Sequence, residues 1–319
     1  MDVQHLSYYF PYGKHAGMYD DTENLLAANV DENEPMKAET ETCEIVRDLY
    51  FNVPLIAHEV CHYTALRDFY SLKEKFVKSG AEKPWWVDEE IKLIEEKGYK
   101  EVFGEMFKAS KHFQFICWKT AYEEMRKSSL LGGFHFLQFA DTDAYENSNG
   151  IVDCFDDETC VKPEEFLKFN GDRVLIAELK TRNYFCADEI TVPVYFSNLG
   201  EDAEKRANFA VSVEKDGKKY VDCSMKNVDV SRKGSYGLCK TKLTLPKEAG
   251  VYVLKIKLTT KSGVYSENEW TLWIYDRPAK KETYGEFVSY DNENAAITDD
   301  IGKAFDLLEK GKKVCLVYR

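Results

Sequence analysis

The run Pro54-Leu55-Ile56-Ala57-His58-Glu59-Val60-Cys61-His62-Tyr63 delivers a carboxylate directly after a short apolar stretch. A stretch of that length and composition predicts a buried parallel strand. Parallel barrels keep their reacting groups where strands end and loops begin, so Glu59 is the first candidate for nucleophilic or acid/base work. The same residues fit a second chemistry. His58-Glu59-Val60-Cys61-His62 is a literal H-E-x-x-H, the pattern in which two imidazoles bind zinc and the glutamate acts as base. A zinc metallohydrolase of that kind requires His58 and His62 one turn apart on a helix. The residues before His58 are a Pro-led, strand-like run without a capping residue, which disfavours that alternative. No metal or cofactor is expected.

A second candidate strand end follows. Gly132-Gly133-Phe134-His135-Phe136-Leu137-Gln138-Phe139 predicts another buried strand, running into Asp141-Thr142-Asp143. Residues 3–10 alternate and end at Pro11-Tyr12-Gly13, a strand and a turn. Helices are predicted over residues 35–50, 69–78, 87–97 and 99–126. The last is amphipathic, with Phe103, Met106, Phe107, Ser110, Phe113 and Cys117 on its apolar face. Strands alternating with helices imply a parallel sheet. A closed barrel takes eight strands and roughly 250 residues, so three strands do not close one.

From residue 182 the pattern turns all-β. Strands are predicted over 190–197, 207–214, 218–223, 237–245, 250–260 and 269–275, with Asp216-Gly217 as a hairpin turn. Short strands at this density, six or seven in about 95 residues, predict an immunoglobulin-like β-sandwich. Residues 277–282 read as a linker, and a helix over 302–309 and a strand over 313–318 follow. A lone helix and strand bury no core, so they are expected to open an α/β domain that is cut off.

The 319 residues suffice for about two domains. A net charge of −13, spread along the chain, argues against a phosphate-backbone partner. No window reaches the eighteen or so apolar residues of a membrane span, and the first residues lack a signal-peptide pattern. Nine scattered cysteines are expected as reduced thiols, which favours a cytoplasmic chain unless a longer parent carries a signal peptide. Cys61, beside the candidate carboxylate, reads as a small buried apolar residue and not as a nucleophile.

Taken in order, these motifs resemble glycoside hydrolases of family 2 type, in a divergent form. Pro54 to Glu59 resembles the seventh strand of the barrel with its nucleophile glutamate, and Gly132 to Asp141 resembles the eighth. Gly150-Ile151-Val152-Asp153-Cys154-Phe155-Asp156 resembles the segment that follows, and Glu267 to Tyr275 the closing strand of the appended sandwich. The resemblance implies an α/β plus all-β chain: the last strands and helices of a (β/α)8 TIM barrel over 1–181, the sandwich over 182–277, and a linker with a truncated α/β domain over 278–319.

It also implies a carbohydrate substrate and Glu59 as nucleophile. The acid/base glutamate of the family comes from the fourth strand, which this chain lacks, so the chain by itself is expected to be inactive. His5, His58, His62 and His135 are then candidates to hydrogen-bond sugar hydroxyls, against the commoner structural role of a histidine. The resemblance implies sugar-contacting or structural residues at Asp141 and Asp143, with Asp141 taken as a candidate sugar contact, and both read at least equally as solvated loop aspartates. Tyr8, Tyr9 and Trp85-Trp86 offer stacking faces, with packing the expected role of the tryptophans. The alternative from another class is a non-catalytic carbohydrate-binding or interaction module.

Overall fold

The computed structural model describes residues 4–7, 55–128, 131–159, 161–201, 204–277, 286–288 and 294–317. The helix expected over 35–50, together with Tyr8 and Tyr9, lies outside them.

Three parallel strands, β1 (Gln4–Ser7), β2 (Leu55–Val60) and β3 (Leu131–Phe136), form one sheet in the order β1-β2-β3. Between β2 and β3 run α1 (Phe69–Ser79), α2 (Trp85–Glu96) and, after a single 3-10 turn, α3 (Phe103–Lys127). Asp68 caps α1 by accepting the Ser71 N–H at 3.1 Å, and Gly80 ends it at φ +71°, a conformation open to glycine. Helix α3 lies against the sheet through Trp118 and Tyr122, whose rings meet Phe136 and Phe134 edge-on at 5.4 and 4.8 Å. Among the described residues these strands make an open three-stranded sheet, and no closed barrel is formed.

Helix α4 (Pro163–Asn170) leads into β4 (Arg173–Ala177), β5 (Asn183–Phe185), β6 (Glu189–Asn198), β7 (Arg206–Lys215), β8 (Lys218–Asp229), β9 (Gly234–Thr244), β10 (Gly250–Thr260) and β11 (Gly263–Tyr275). They form two sheets, β4-β6-β9 and β5-β11-β10-β7-β8, antiparallel throughout except where β5 joins β11. Alternate residues meet in one core around Phe196, Phe209, Tyr252, Leu254, Trp270 and Leu272. The Asp216-Gly217 turn has φ +50° and +76°, the paired positive values of a tight hairpin.

The sandwich begins at Arg173 and not at the boundary expected at 182. The apolar run Val174-Leu175-Ile176-Ala177 is buried because it is a sandwich strand paired with β6. Beyond it, β12 (Glu286–Val288), β13 (Asn294–Thr298), α5 (Ile301–Glu309) and β14 (Val314–Leu316) build a small sheet in which β13 and β14 run parallel across the helix.

The buried face of α3 also differs from the sequence reading. Met106 and Phe113 are 38% and 55% exposed, while Lys111, Gln114, Trp118, Lys119, Ala121, Tyr122, Glu123 and Met125 are buried. Hydrophobicity did not mark that face because several of its buried positions are polar and are held by specific partners. Of the two tryptophans, Trp86 is in the core with its Nε1–H on the Asp143 carbonyl at 3.0 Å, and Trp85 is 78% exposed.

Candidate functional site

The carboxyl end of β2 is bulged. Ala57 pairs with Phe134 and Val60 with Phe136, so three steps on β2 match two on β3. The extra residue is accommodated at Glu59, half-buried with φ +54°, and Cys61 follows at φ +68°. Positive φ on a side-chain-bearing residue is costly, and bulges of this kind re-aim a side chain at the end of a strand. Val60 and Cys61, which follow Glu59, are buried and fixed: the Val60 carbonyl accepts the Leu137 N–H at 3.0 Å, and the Cys61 carbonyl accepts Trp118 Nε1–H at 3.0 Å.

The kink excludes the metal alternative. His58 lies in a strand, His62 lies in irregular chain beyond it, and two left-handed residues separate them, so the helix that H-E-x-x-H requires is not formed. Cys61 behaves as the sequence suggested. Burial, with Cys117 nearby, drives its thiol well above the usual range, and burial alone pushes Cys117 up to about 11. The seven described cysteines are all free thiols.

Of the other candidates, His5 occupies a position in β1, and His58 pairs in backbone register with Ser7. His135 is exposed between half-buried Phe134 and Phe136, which pack toward α3, so strand alternation turns His135 to the opposite face of the sheet. His62 is half-buried just beyond β2. Four histidines and Glu59 therefore fall on three adjacent strands and one strand-end loop.

Asp141 does not join them. It is 6% exposed, and its Oδ1 accepts the backbone N–H groups of Asn149 at 2.8 Å and Gly150 at 2.6 Å. Its Oδ2 lies 3.9 Å from the Arg67 guanidinium, itself buried against Trp86 and donating to the carbonyls of Thr142 at 2.6 Å and Asn147 at 2.8 Å. Asp141 is thus a carboxylate that folds the loop after β3, the structural one of its expected roles, and it is not a solvated loop residue. Asp143, by contrast, is exposed.

The residues that hold the site loops were not visible in the sequence. Ser110 accepts the Leu66 N–H at 2.9 Å, and Gln114 donates to the carbonyls of Tyr63 at 2.5 Å and Ser148 at 2.8 Å. Fully buried Lys111 donates to Gln114 at 2.6 Å, Ser148 at 3.0 Å and the Gly150 carbonyl at 2.9 Å. One polar stripe on α3 therefore fastens the loop after β2 to the loop after β3. Gly150 completes the joint, since a Cβ there would lie 2.4 Å from the Asp141 nitrogen and 2.5 Å from the Val152 oxygen. Gly150→Ala is expected to destabilise the protein by about 1–3 kcal/mol or more through this clash with backbone, read as a lower urea midpoint at unchanged slope.

No protein-family model matches the chain, and no curated protein matches it. Among solved structures, the β-D-mannosidase of Dictyoglomus thermophilum is similar over 53% of this chain and 20% of its own, at 17% identity and TM-score 0.38. A CARDB domain from Pyrococcus furiosus is similar over 33% of this chain and 92% of its own, at 12% identity and TM-score 0.25. The β-glucuronidase of Parabacteroides merdae is similar over 33% of this chain and 13% of its own, at 17% identity and TM-score 0.23. The chain spans about a fifth of the length of the mannosidase.

Proposed function

We propose that β1, β2 and β3 are the closing strands of a retaining β-glycosidase barrel of family 2 type, acting on carbohydrate with Glu59 as nucleophile. The observation that carries this reading is the bulge: β2 kinks at Glu59, so the carboxylate stands at the carboxyl end of a parallel strand with its backbone held by buried neighbours. The order of motifs along the chain supports it, and the structural likenesses above are not needed for it.

In such a site a Glu59 oxygen forms a bond to the anomeric carbon as the bond from that carbon to the leaving oxygen breaks, giving a glycosyl ester that water later opens. A second carboxyl group, about 5 Å away in retaining enzymes, protonates the leaving oxygen and then activates the water. His5, His58, His62 and His135 are proposed to hydrogen-bond the sugar hydroxyls from the three strands and the loop after β2. The sandwich is read as the immunoglobulin-like domain that follows these barrels, and β12 to β14 as the opening of an α/β domain.

The first half-reaction tests Glu59 by itself. A fluorinated aryl β-glycoside whose leaving group departs without protonation is expected to attach one sugar to the peptide containing Glu59, detected by mass. Glu59→Gln is expected to abolish the label. A wild-type chain left unlabelled by a panel of such glycosides would remove Glu59 from the role of nucleophile.

A further inference from the structure

A cleft of about 490 Å³ lies between α3 and the outer face of the five-stranded sheet, remote in sequence from the bulge at Glu59. That volume is within the usual range for small-ligand sites. Its apolar lining comes from Phe113 and Ile116 on α3 and from Val253 and Trp273 on the sheet, with Thr271 between them. Trp273 is half-buried while its neighbours Leu272 and Ile274 are in the core, so its ring belongs to the outer face of β11.

The charges around this cleft are nearly all spoken for. Lys168 pairs with Glu269 at 2.7 Å, Lys255 with Glu214 at 2.9 Å, and buried Lys119 with Glu123. Glu165 accepts the Lys162 N–H at the start of α4, at 3.4 Å. Arg182 is the exception: half-buried at the cleft wall, its guanidinium has no ion pair and no side-chain hydrogen bond among the described residues. Its carbonyl accepts the Trp273 N–H at 2.8 Å, so the two backbones are joined, and both residues line the same cleft. An arginine without a carboxylate partner among the described residues, lining the same cleft as an indole, stands out in a chain of net charge −13. It complements a ring with one apolar face and a carboxylate at its edge.

We propose that this cleft is a non-catalytic subsite for an acidic saccharide, in which Trp273 stacks on the sugar ring and Arg182 receives the carboxylate of a hexuronate unit. The choice of a sugar rests on the glycosidase reading, while the choice of an acidic one rests on Arg182.

Calorimetry of the full chain with short oligouronates and their neutral counterparts tests it. Arg182→Met keeps the carbonyl that binds Trp273, so the sheet stays paired, and it is expected to weaken oligouronate binding about ten- to hundredfold. Trp273→Ala is expected to weaken it comparably. Arg182→Lys is expected to restore part of the loss. Oligouronate binding indifferent to both cleft variants overturns the subsite and leaves Glu59 untouched. Neutral oligosaccharides bound as tightly, with no effect of Arg182→Met, overturn its acidic specificity. Absence of any saccharide binding also overturns it, while labelling of Glu59 decides the glycosidase reading separately.

Discussion

Glu123→Ala is expected to cost about 3–5 kcal/mol of folding stability, because it strands a buried lysine. Glu123 sits on α3 where the helix meets the sandwich. Its Oε1 takes the Lys119 ammonium and, at 3.1 Å, the Asn268 amide, while its Oε2 takes Trp270 Nε1–H at 3.0 Å. Lys119 donates as well to Asn268 Oδ1 at 2.6 Å and lies 4.5 Å above the Trp270 ring. Both side chains of the pair are at most 10% exposed, so solvent offers no substitute when one is removed. Removing both ions together is the control. Lys119→Met with Glu123→Leu is expected to regain at least about half of the loss, since no lone charge is left behind.

The same pair carries a pH signature. Burial outweighs the Glu123 carboxylate and holds the Lys119 ammonium below the usual lysine value. Between that lowered value and the ordinary one near 10.4, the unfolded chain binds the extra proton, so stability gains as pH rises through the window. The stability of wild type relative to Lys119→Met is therefore expected to climb as pH rises through that window toward about pH 10. Urea titrations at several pH values read this directly, and a flat or falling difference would contradict it.

Asp141→Ala has the second large expected effect, also about 3–5 kcal/mol, from an unmatched Arg67 and two orphaned backbone donors. Arg67 is 3% exposed and its Nη1 already lacks a hydrogen-bond partner, so it has little reserve when its carboxylate goes. The damage is expected to begin locally. Hydrogen exchange over residues 141–152 should accelerate before the sandwich loosens, because Asp141 holds the Asn149 and Gly150 amides. Equal acceleration in β6 and β10 would mean that Asp141 supports the whole fold and not this loop.

Elements whose hydrophobic period is simple were readable from the sequence. The strand before Glu59, helices α1 and α2, and β6, β7, β9 and β10 lie within a few residues of their expected places, while β8 and β11 each run six residues beyond theirs. Asp216-Gly217 marked its hairpin because only a few residues accept two positive φ values in succession. What escaped was decided by contacts distant in sequence. The run Val174 to Ala177 is equally apolar as barrel or sandwich, and only its pairing with β6 assigns it. Lys111 and Gln114 were not singled out by the sequence, because lysine and glutamine are mostly exposed. Their partners, Tyr63, Ser148 and Gly150, stand 34 to 51 residues away. Asp141 was recognised as a strand-end carboxylate, but its fate depended on an arginine 74 residues earlier. For Glu59 the strand and its end were legible, whereas the kink that turns it was not, since no glycine announces it.

The buried pair on α3 also bears on the order in which the chain is made. Lys119 and Glu123 leave the ribosome 145 or more residues ahead of Asn268 and Trp270, which cover them. At the usual pace of synthesis that interval lasts about 7–30 s. Throughout it, Lys119 and Glu123 keep their part of α3 charged and solvated beside Ile116, which makes it a poorer trap for a wrong apolar partner. When β11 arrives, Trp270 brings the indole N–H and Asn268 the amide that together permit those ions to be dried. A nascent chain thus keeps the junction soluble until its proper cover exists, and the charge that lowers stability in the finished molecule guards the unfinished one.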